Sequence, residues 1–150
     1  MIERLADAMR PFVSEEAGEL DDAMCRERRW HYPFDALREA VVNAVTHRDW
    51  TRYEEIAVVR YVDRVEILSP GALQNSMTAQ KMLAGRRSPR NLLISEVMRD
   101  YGYADARGMG VRNKIVPLLR DRNGVAPEFD ANEDHLRLTM RRGACGGGFG

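Results

Sequence analysis

The chain has little cysteine, little lysine and no long hydrophobic run. Its 150 residues include two cysteines, Cys25 and Cys145, without the paired spacing of a zinc site or a disulfide framework. Two isolated thiols are typical of a reducing compartment, so we predict a cytoplasmic protein. No stretch approaches the roughly 18 consecutive apolar residues of a membrane span. The acidic N-terminus also differs from a secretory signal, so we expect no membrane partner.

The basic residues are almost all arginine, since only Lys81 and Lys114 among the 23 bases are lysine. The formal net charge is zero, but it is unevenly spread along the chain. Residues 1–22 hold seven acids against two bases, and residues 86–122 hold nine bases against four acids. This asymmetry favours an anionic ligand near the second segment. Alternatively, the two segments neutralise each other across the fold.

The order of hydrophobic patterns predicts an α+β fold. Helical spacing is found over 2–24, 33–48, 78–84, 92–101 and after Gly110, with a kink at Pro117. Strand patterns are found over 55–61, 64–68, 127–129 and 135–140, the first two joined as a hairpin at Val62-Asp63. We predict a two-layer sandwich with helices packed on one face of a mostly antiparallel mixed sheet. The predicted units are a helical segment or linker (1–27), a domain (28–142) and a flexible glycine-rich tail (143–150).

The segment 32–50 carries the most information about function. Pro33 suits the first position of a helix that then runs for about four turns. The apolar residues at helical spacing are Phe34, Leu37, Val41, Ala44 and Val45. Glu39, Asn43 and His47 recur every four residues on nearly the opposite face, and they offer a base, a hard oxygen ligand and a titratable ring. By itself, this row predicts either a solvated helix face or one wall of a nucleotide site.

Eight short motifs in a fixed order resemble a known family. They are Tyr32-Pro33, Arg38-Glu39, Asn43-Ala44, His47-Arg48-Asp49, Asp63-Arg64, Pro70-Gly71, Pro89-Arg90-Asn91 and Gly108-x-Gly110. The set resembles the C-terminal domain of RecG-like proteins, which are catalogued as ATP-dependent DNA helicases or AlbA-type transcriptional regulators. That domain is a divergent member of the GHKL (Bergerat-fold) ATPases. The resemblance covers roughly residues 28–141.

The resemblance implies a site for ATP and Mg²⁺ on the predicted helix 33–48. It implies that Glu39 is the catalytic base for the attacking water and that the Asn43 oxygen binds the metal. Hard oxygen ligands suit Mg²⁺, which keeps several waters and relies on substrate phosphates. His47, one turn further along, is expected beside the same cofactor site.

Other motifs place further cofactor-binding residues after the hairpin. The resemblance implies that Ser69 and Gly71 lie near the nucleotide base, and that Arg90, Gly108 and Gly110 contact phosphates. The chain departs from GHKL enzymes here, because Ser69-Pro70-Gly71 contains no carboxylate to bind the adenine amino group. Asp63 is a carboxylate, but we expect it in the hairpin turn, where aspartate is common.

The chain contains no Gly-x-x-x-x-Gly-Lys-Ser/Thr motif, so it is not itself a helicase motor and a helicase label would be inherited. The resemblance implies an ATP-binding, slowly hydrolysing regulatory domain that reaches DNA through another domain of a longer protein. It also allows a homodimer. Two alternatives stay open: a degenerate, nucleotide-free dimerisation or signal-relay module, and a DNA-binding domain with a helix-turn-helix formed by 78–84 and 90–101.

Overall fold

The computed structural model describes residues 2–20, 26–74, 77–86, 90–104 and 110–143 of the chain. Helices and strands alternate in blocks, and a single π-helical turn precedes the last helix. The helices are α1 (Ile2–Val13), α2 (Phe34–His47), α3 (Ala79–Leu83), α4 (Leu92–Asp100), the π-turn (Val111–Ile115) and α5 (Val116–Asn123). The strands are β1 (Ser14–Leu20), β2 (Arg26–Trp30), β3 (Ala57–Arg60), β4 (Arg64–Pro70), β5 (Glu128–Ala131) and β6 (His135–Arg141).

The main sheet has four antiparallel strands in the order β3-β4-β6-β5. One face is apolar, because Val65 and Ile67 of β4 lie opposite Met140 and Leu138 of β6 and all four are buried. The other face alternates with it and carries ion pairs, such as that between Arg64 Nε and Glu66 Oε1 at 2.7 Å. The fold is therefore the predicted two-layer α+β sandwich, and its described sheet is entirely antiparallel.

Helix α2 lies at the centre of the helical layer. It contacts β4 on one side and the π-turn, α1 and α5 on others. The core residues that it contributes are Ala36, Leu37, Ala40, Val41, Val42 and Ala44. Ile115 and Leu119 are fully buried in the same cluster. Because α2 is covered from more than one direction, residues outside its predicted apolar face are also buried.

The helix predicted over 2–24 forms over 2–13 and is wrong over 14–20, while 21–24 lie outside the described residues. Residues 14–20 form β1, which pairs antiparallel with β2 and sets Glu15 opposite Arg29 and Glu16 opposite Arg28. Gly18 disfavours a helix here, because glycine has a low helix propensity. The acidic run therefore forms a strand although its spacing suits a helix. Helix α1 continues through Pro11 and packs into the same core as α2.

Two other helices differ from the pattern of the sequence. Pro117 lies in the first turn of α5, where a proline is tolerated. The irregular backbone is the π-turn at Val111–Ile115, so it lies before the proline and not at the proline as predicted. Helix α4 forms as predicted, but its row of Leu93, Val97 and Tyr101 is 73%, 43% and 76% exposed. None of the described helices has the length and apolar character needed to cross a bilayer.

Candidate functional site

The polar row of α2 is partly covered by other elements. Glu39, Asn43 and His47 lie along about 12 Å of one helix face, given a rise of 1.5 Å per residue. Glu39 is only 6% exposed, while Asn43 and His47 are partly buried. The π-turn packs across this part of α2 and brings residues 110–115 to the row. A simple solvated helix face is therefore the wrong interpretation at Glu39.

Glu39 contacts Gly110, which precedes the π-turn, and Lys114, which lies within it. Lys114 Nζ donates to Glu39 Oε2 at 3.1 Å. A Cβ on Gly110 would overlap Glu39 Oε1 and lie 3.0 Å from its Cγ. Gly110 has ordinary helical dihedral angles, φ −55° and ψ −38°, so its role here is to leave space. The carboxylate thus lies against the Gly110 backbone with the Lys114 ammonium beside it.

Asn43 lies one turn from Glu39 and leaves its amide available. Its side chain makes no hydrogen bond to any part of the chain that the structure describes. An amide oxygen is a hard ligand of the kind that Mg²⁺ accepts together with waters and phosphates. Among the described ranges, no group of three or more His, Cys, Asp or Glu side chains could hold a metal ion. Any Mg²⁺ at Asn43 would therefore need ligands from a bound phosphate and water.

His47 lies at the other end of the row, near Arg90. Burial lowers the pKa of His47 below its ordinary value of 6.5, and the positive charge of Arg90 lowers this pKa further. The imidazole is consequently neutral at pH 7, and it can accept a hydrogen bond from a ligand as well as donate one.

We expect acidification from pH 7 to pH 5 to destabilise the wild-type chain more than a His47→Gln variant. Because the folded state lowers the pKa of His47, the unfolded chain binds the proton first. The stability linked to this group is complete above about pH 6.5, the pKa of the unfolded state, and falls as the pH drops towards the folded-state pKa. Urea unfolding of both proteins at the two pH values measures the difference. Equal losses would show that His47 is not a buried neutral group.

Arg90 joins α2 to the loop after β4. Its Nη1 lies 2.6 Å from Asp49 Oδ2, and its Nη2 donates to the Ala72 carbonyl at 2.5 Å. The pKa of Asp49 is lowered, mainly because the Thr51 hydroxyl and amide donate to this carboxylate and then because of Arg90. Gly71, at φ +106°, fits between Asp49 and Arg90. Asp49, Gly71 and Arg90 form what we call the Arg90 cluster.

Two polar side chains fix α2 on the sheet and on α4. The buried Ser69 hydroxyl donates to the Ala44 carbonyl at 3.0 Å. Asn91 Nδ2 donates to the carbonyls of Thr46 and Arg48 at 2.9 and 2.8 Å. Carbonyls in the last turn of a helix lack partners within the helix, so Asn91 satisfies groups that would otherwise need water. Ser69 and Asn91 thereby set the position of the polar row.

The family comparison gives a match over more than half of the chain. The family described as "Putative ATP-dependent DNA helicase recG C-terminal" matches residues 54–140. The chain belongs to this family. It is an ATPase-like domain of RecG-type proteins, as the motifs predicted.

A solved structure has the same fold as this RecG C-terminal-type domain. The DIP2311 protein from Corynebacterium diphtheriae is similar with a TM-score of 0.77 and 24% sequence identity. The similarity covers 95% of this chain and 29% of that chain. This chain therefore spans less than a third of that protein, and at this identity the likeness concerns the fold alone. No curated protein matches the chain.

The fold brings some of the predicted residues of this RecG-type domain together and separates others. Glu39 and Gly110 are in contact, and at the opposite end of the row His47 lies near Arg90, which itself contacts Gly71. Ser69 is bonded to α2, and Asp63 lies in the hairpin turn beside Arg64. Gly108 lies outside the described residues.

Sequence reasoning missed Lys114, Asp49 and Asn91 as members of the site. Asp49 and Asn91 belong to the family motifs, so the sequence did single them out. Residue spacing within one helix could not assign them to the site, because their partners lie on other segments of the chain. Lys114 had a weaker signal, because it is one of two lysines in a chain rich in arginine. Its contact with Glu39 spans 75 residues and depends on the packing of the π-turn.

A separate groove of about 830 Å³ lies between α3 and β5. Leu83 and Phe129 line it, together with the carboxylates of Glu128, Asp130 and Glu133. None of the predicted site residues is among its described lining residues, and none of those is basic. Three carboxylates would repel a polyphosphate, so the polar row of α2 is the better candidate for an anionic ligand in this RecG-type domain.

Proposed function

We propose that this domain binds ATP with Mg²⁺ along the polar row of α2 and hydrolyses it slowly. The observation that supports this most is the contact of Glu39 with Gly110 and Lys114. It joins the expected base, an expected phosphate-contacting glycine and a cation across more than 70 residues of sequence. The RecG-type family assignment supports an ATPase-like domain, and we propose the polar row of α2 as its nucleotide site.

The side chains along the polar row offer groups that fit Mg-ATP. Asn43 would hold Mg²⁺ through its unbonded amide oxygen, and Lys114 offers an ammonium to the phosphates. Bound Mg²⁺ would supply charge neutralisation of the phosphates. Glu39 would orient a water molecule and accept its proton at a carboxylate oxygen. His47, neutral at pH 7, would contribute a hydrogen bond at the far end of the row.

Isothermal titration calorimetry with Mg-ATP tests the proposal. We expect the wild-type domain to give saturable heat at or below millimolar nucleotide, and Asn43→Ala to bind about tenfold more weakly, as expected on losing a metal ligand or charge-assisted contact. Without Mg²⁺, the two proteins should bind ATP equally. Gln80→Ala, which removes an exposed amide from the groove between α3 and β5, is the control and should bind like the wild type. Absence of heat at millimolar Mg-ATP would contradict the proposed function.

A second candidate function is self-association through α4. Its exposed row of Leu93, Val97 and Tyr101 lies next to Leu92, which is 67% exposed. Contiguous exposed apolar side chains of this kind mark contact surfaces. Sedimentation with and without Mg-ATP distinguishes a nucleotide-independent dimer from a monomer.

The alternative of a DNA-binding helix-turn-helix has less support. The helix α3 has five residues, and α4, with nine, carries Arg99 as its one basic side chain. A recognition helix needs several polar or basic side chains that reach bases and phosphates. A gel shift at low salt tests this alternative directly.

A further inference from the structure

Glu39 and Lys114 differ greatly in their exposure to solvent. The Glu39 side chain is 8% exposed, whereas the Lys114 side chain is 43% exposed. A carboxylate removed from water needs a compensating charge or hydrogen bonds, and Lys114 provides the cation. The lysine has no comparable need for the carboxylate, because much of its side chain stays exposed to water. The lysine is therefore the partner that can move, provided that another positive charge replaces it beside Glu39.

The backbone around Lys114 also points to a functional role. Lys114 lies in the π-turn, and such turns within helices occur frequently at functional sites. A lysine has a flexible stem and a compact charge, whereas an arginine prefers fixed planar partners. The chain uses arginine at 21 of its 23 basic positions, yet this position holds a lysine. These properties suit a cation that exchanges one anionic partner for another.

We propose that Lys114 is a positioning residue that holds Glu39 in the nucleotide-free domain and moves to the phosphates when Mg-ATP binds. The inference rests on the proposed function, because the phosphates supply the competing negative charge. A polyphosphate carries more charge than one carboxylate, so it attracts the ammonium more strongly at equal distance. Once the ammonium leaves, Mg²⁺ held by Asn43 would supply the compensating positive charge, and Glu39 would keep its place against Gly110 and accept a proton from water. Lys114 thereby couples nucleotide binding to the release of the base.

The test compares Lys114→Met, Lys114→Arg and the control Arg122→Met in calorimetric titrations with Mg-ATP. Arg122 is an exposed cation on α5, so its loss makes the same change in net charge. We expect Lys114→Met to bind Mg-ATP at least about tenfold more weakly, as for a lost charge-assisted phosphate contact. Lys114→Arg should bind more tightly than Lys114→Met, since it keeps the charge, and more weakly than the wild type, since its planar group is less suited to exchanging partners. Arg122→Met should bind like the wild type.

Kinetics separate a positioning role from general damage. With Lys114→Met, KM for Mg-ATP should rise while kcat stays the same or increases, because Glu39 no longer has to be released. A fall in kcat with unchanged KM would overturn the proposal. The proposal would also be overturned if Lys114→Met bound Mg-ATP as tightly as the wild type does. The proposed function would still stand in that case, because the wild-type domain binds the nucleotide. Absence of any wild-type binding would overturn both. Lys114→Gln replaces the methionine variant if that variant does not fold.

Discussion

Replacing Gly71 with alanine is expected to destabilise the domain by about 2–5 kcal/mol, combining backbone strain with overpacking. Gly71 has φ +106°, a conformation that side chains with a Cβ rarely adopt. The new methyl group would also lie 2.6 Å from Asp49 Cβ and 3.0 Å from Arg90 Nη1. Neither neighbour can move freely, since Arg90 bonds Asp49 and the Ala72 carbonyl. Urea unfolding of the two proteins gives the difference in the free energy of unfolding.

Gly102→Ala is the matched control for this substitution. Gly102 also has a positive φ, +71°, but nothing lies within 4 Å of the position that a Cβ would take. Its replacement should therefore show the conformational cost alone, about 1–2 kcal/mol. If the two variants lose equal stability, the close packing of Gly71 in the Arg90 cluster contributes nothing, and that part of the account is wrong.

Replacing Glu39 with glutamine should lower ATP hydrolysis by about 10²–10⁴-fold, the usual contribution of a general base. Glutamine keeps the shape that fits against Gly110, but it cannot accept a proton from water. Binding of Mg-ATP should change little, because the proposed phosphate and metal contacts come from Lys114 and Asn43. Release of labelled phosphate at saturating Mg-ATP measures the rate, and titration calorimetry measures binding.

Glu96→Gln provides the control for the loss of a carboxylate, since Glu96 is exposed on α4. Its hydrolysis rate should equal that of the wild type. Glu39→Ala should be as inactive as Glu39→Gln while still binding nucleotide. Normal hydrolysis by either Glu39 variant would show that Glu39 is not the base, even if the nucleotide binds along α2.

The elements with strong local patterns were predictable. The helix at 33–48 had a proline at its start and a continuous apolar face, and it forms α2 over Phe34–His47. The hairpin had two β-branched runs separated by Val62-Asp63, and it forms β3 and β4. The prediction for 14–20 was wrong because this segment pairs as a strand with 26–30, and periodicity within one segment does not report a pairing with another segment.

The candidate site was predictable only along one helix. The spacing of Glu39, Asn43 and His47 placed them on one face, and the family motifs assigned them roles. The burial of Glu39 and its contact with Lys114 depend on the π-turn, which no spacing rule indicated. The role of Gly110 was expected to be contact with phosphates. Its close approach to Glu39 depends on the packing of α2 against the π-turn, which the sequence does not show.

A nucleotide site on α2 is tested most directly by amide chemical-shift mapping by NMR during titration with Mg-ATP. We expect the largest shifts from Glu39 to His47 on α2 and from Gly110 to Lys114 in the π-turn. The groove between α3 and β5 provides an internal comparison, because none of its described lining residues belongs to α2 and none is basic. Shifts confined to Thr78–Leu83 and Glu128–Glu133, or no shifts at millimolar Mg-ATP, would contradict a nucleotide site on α2.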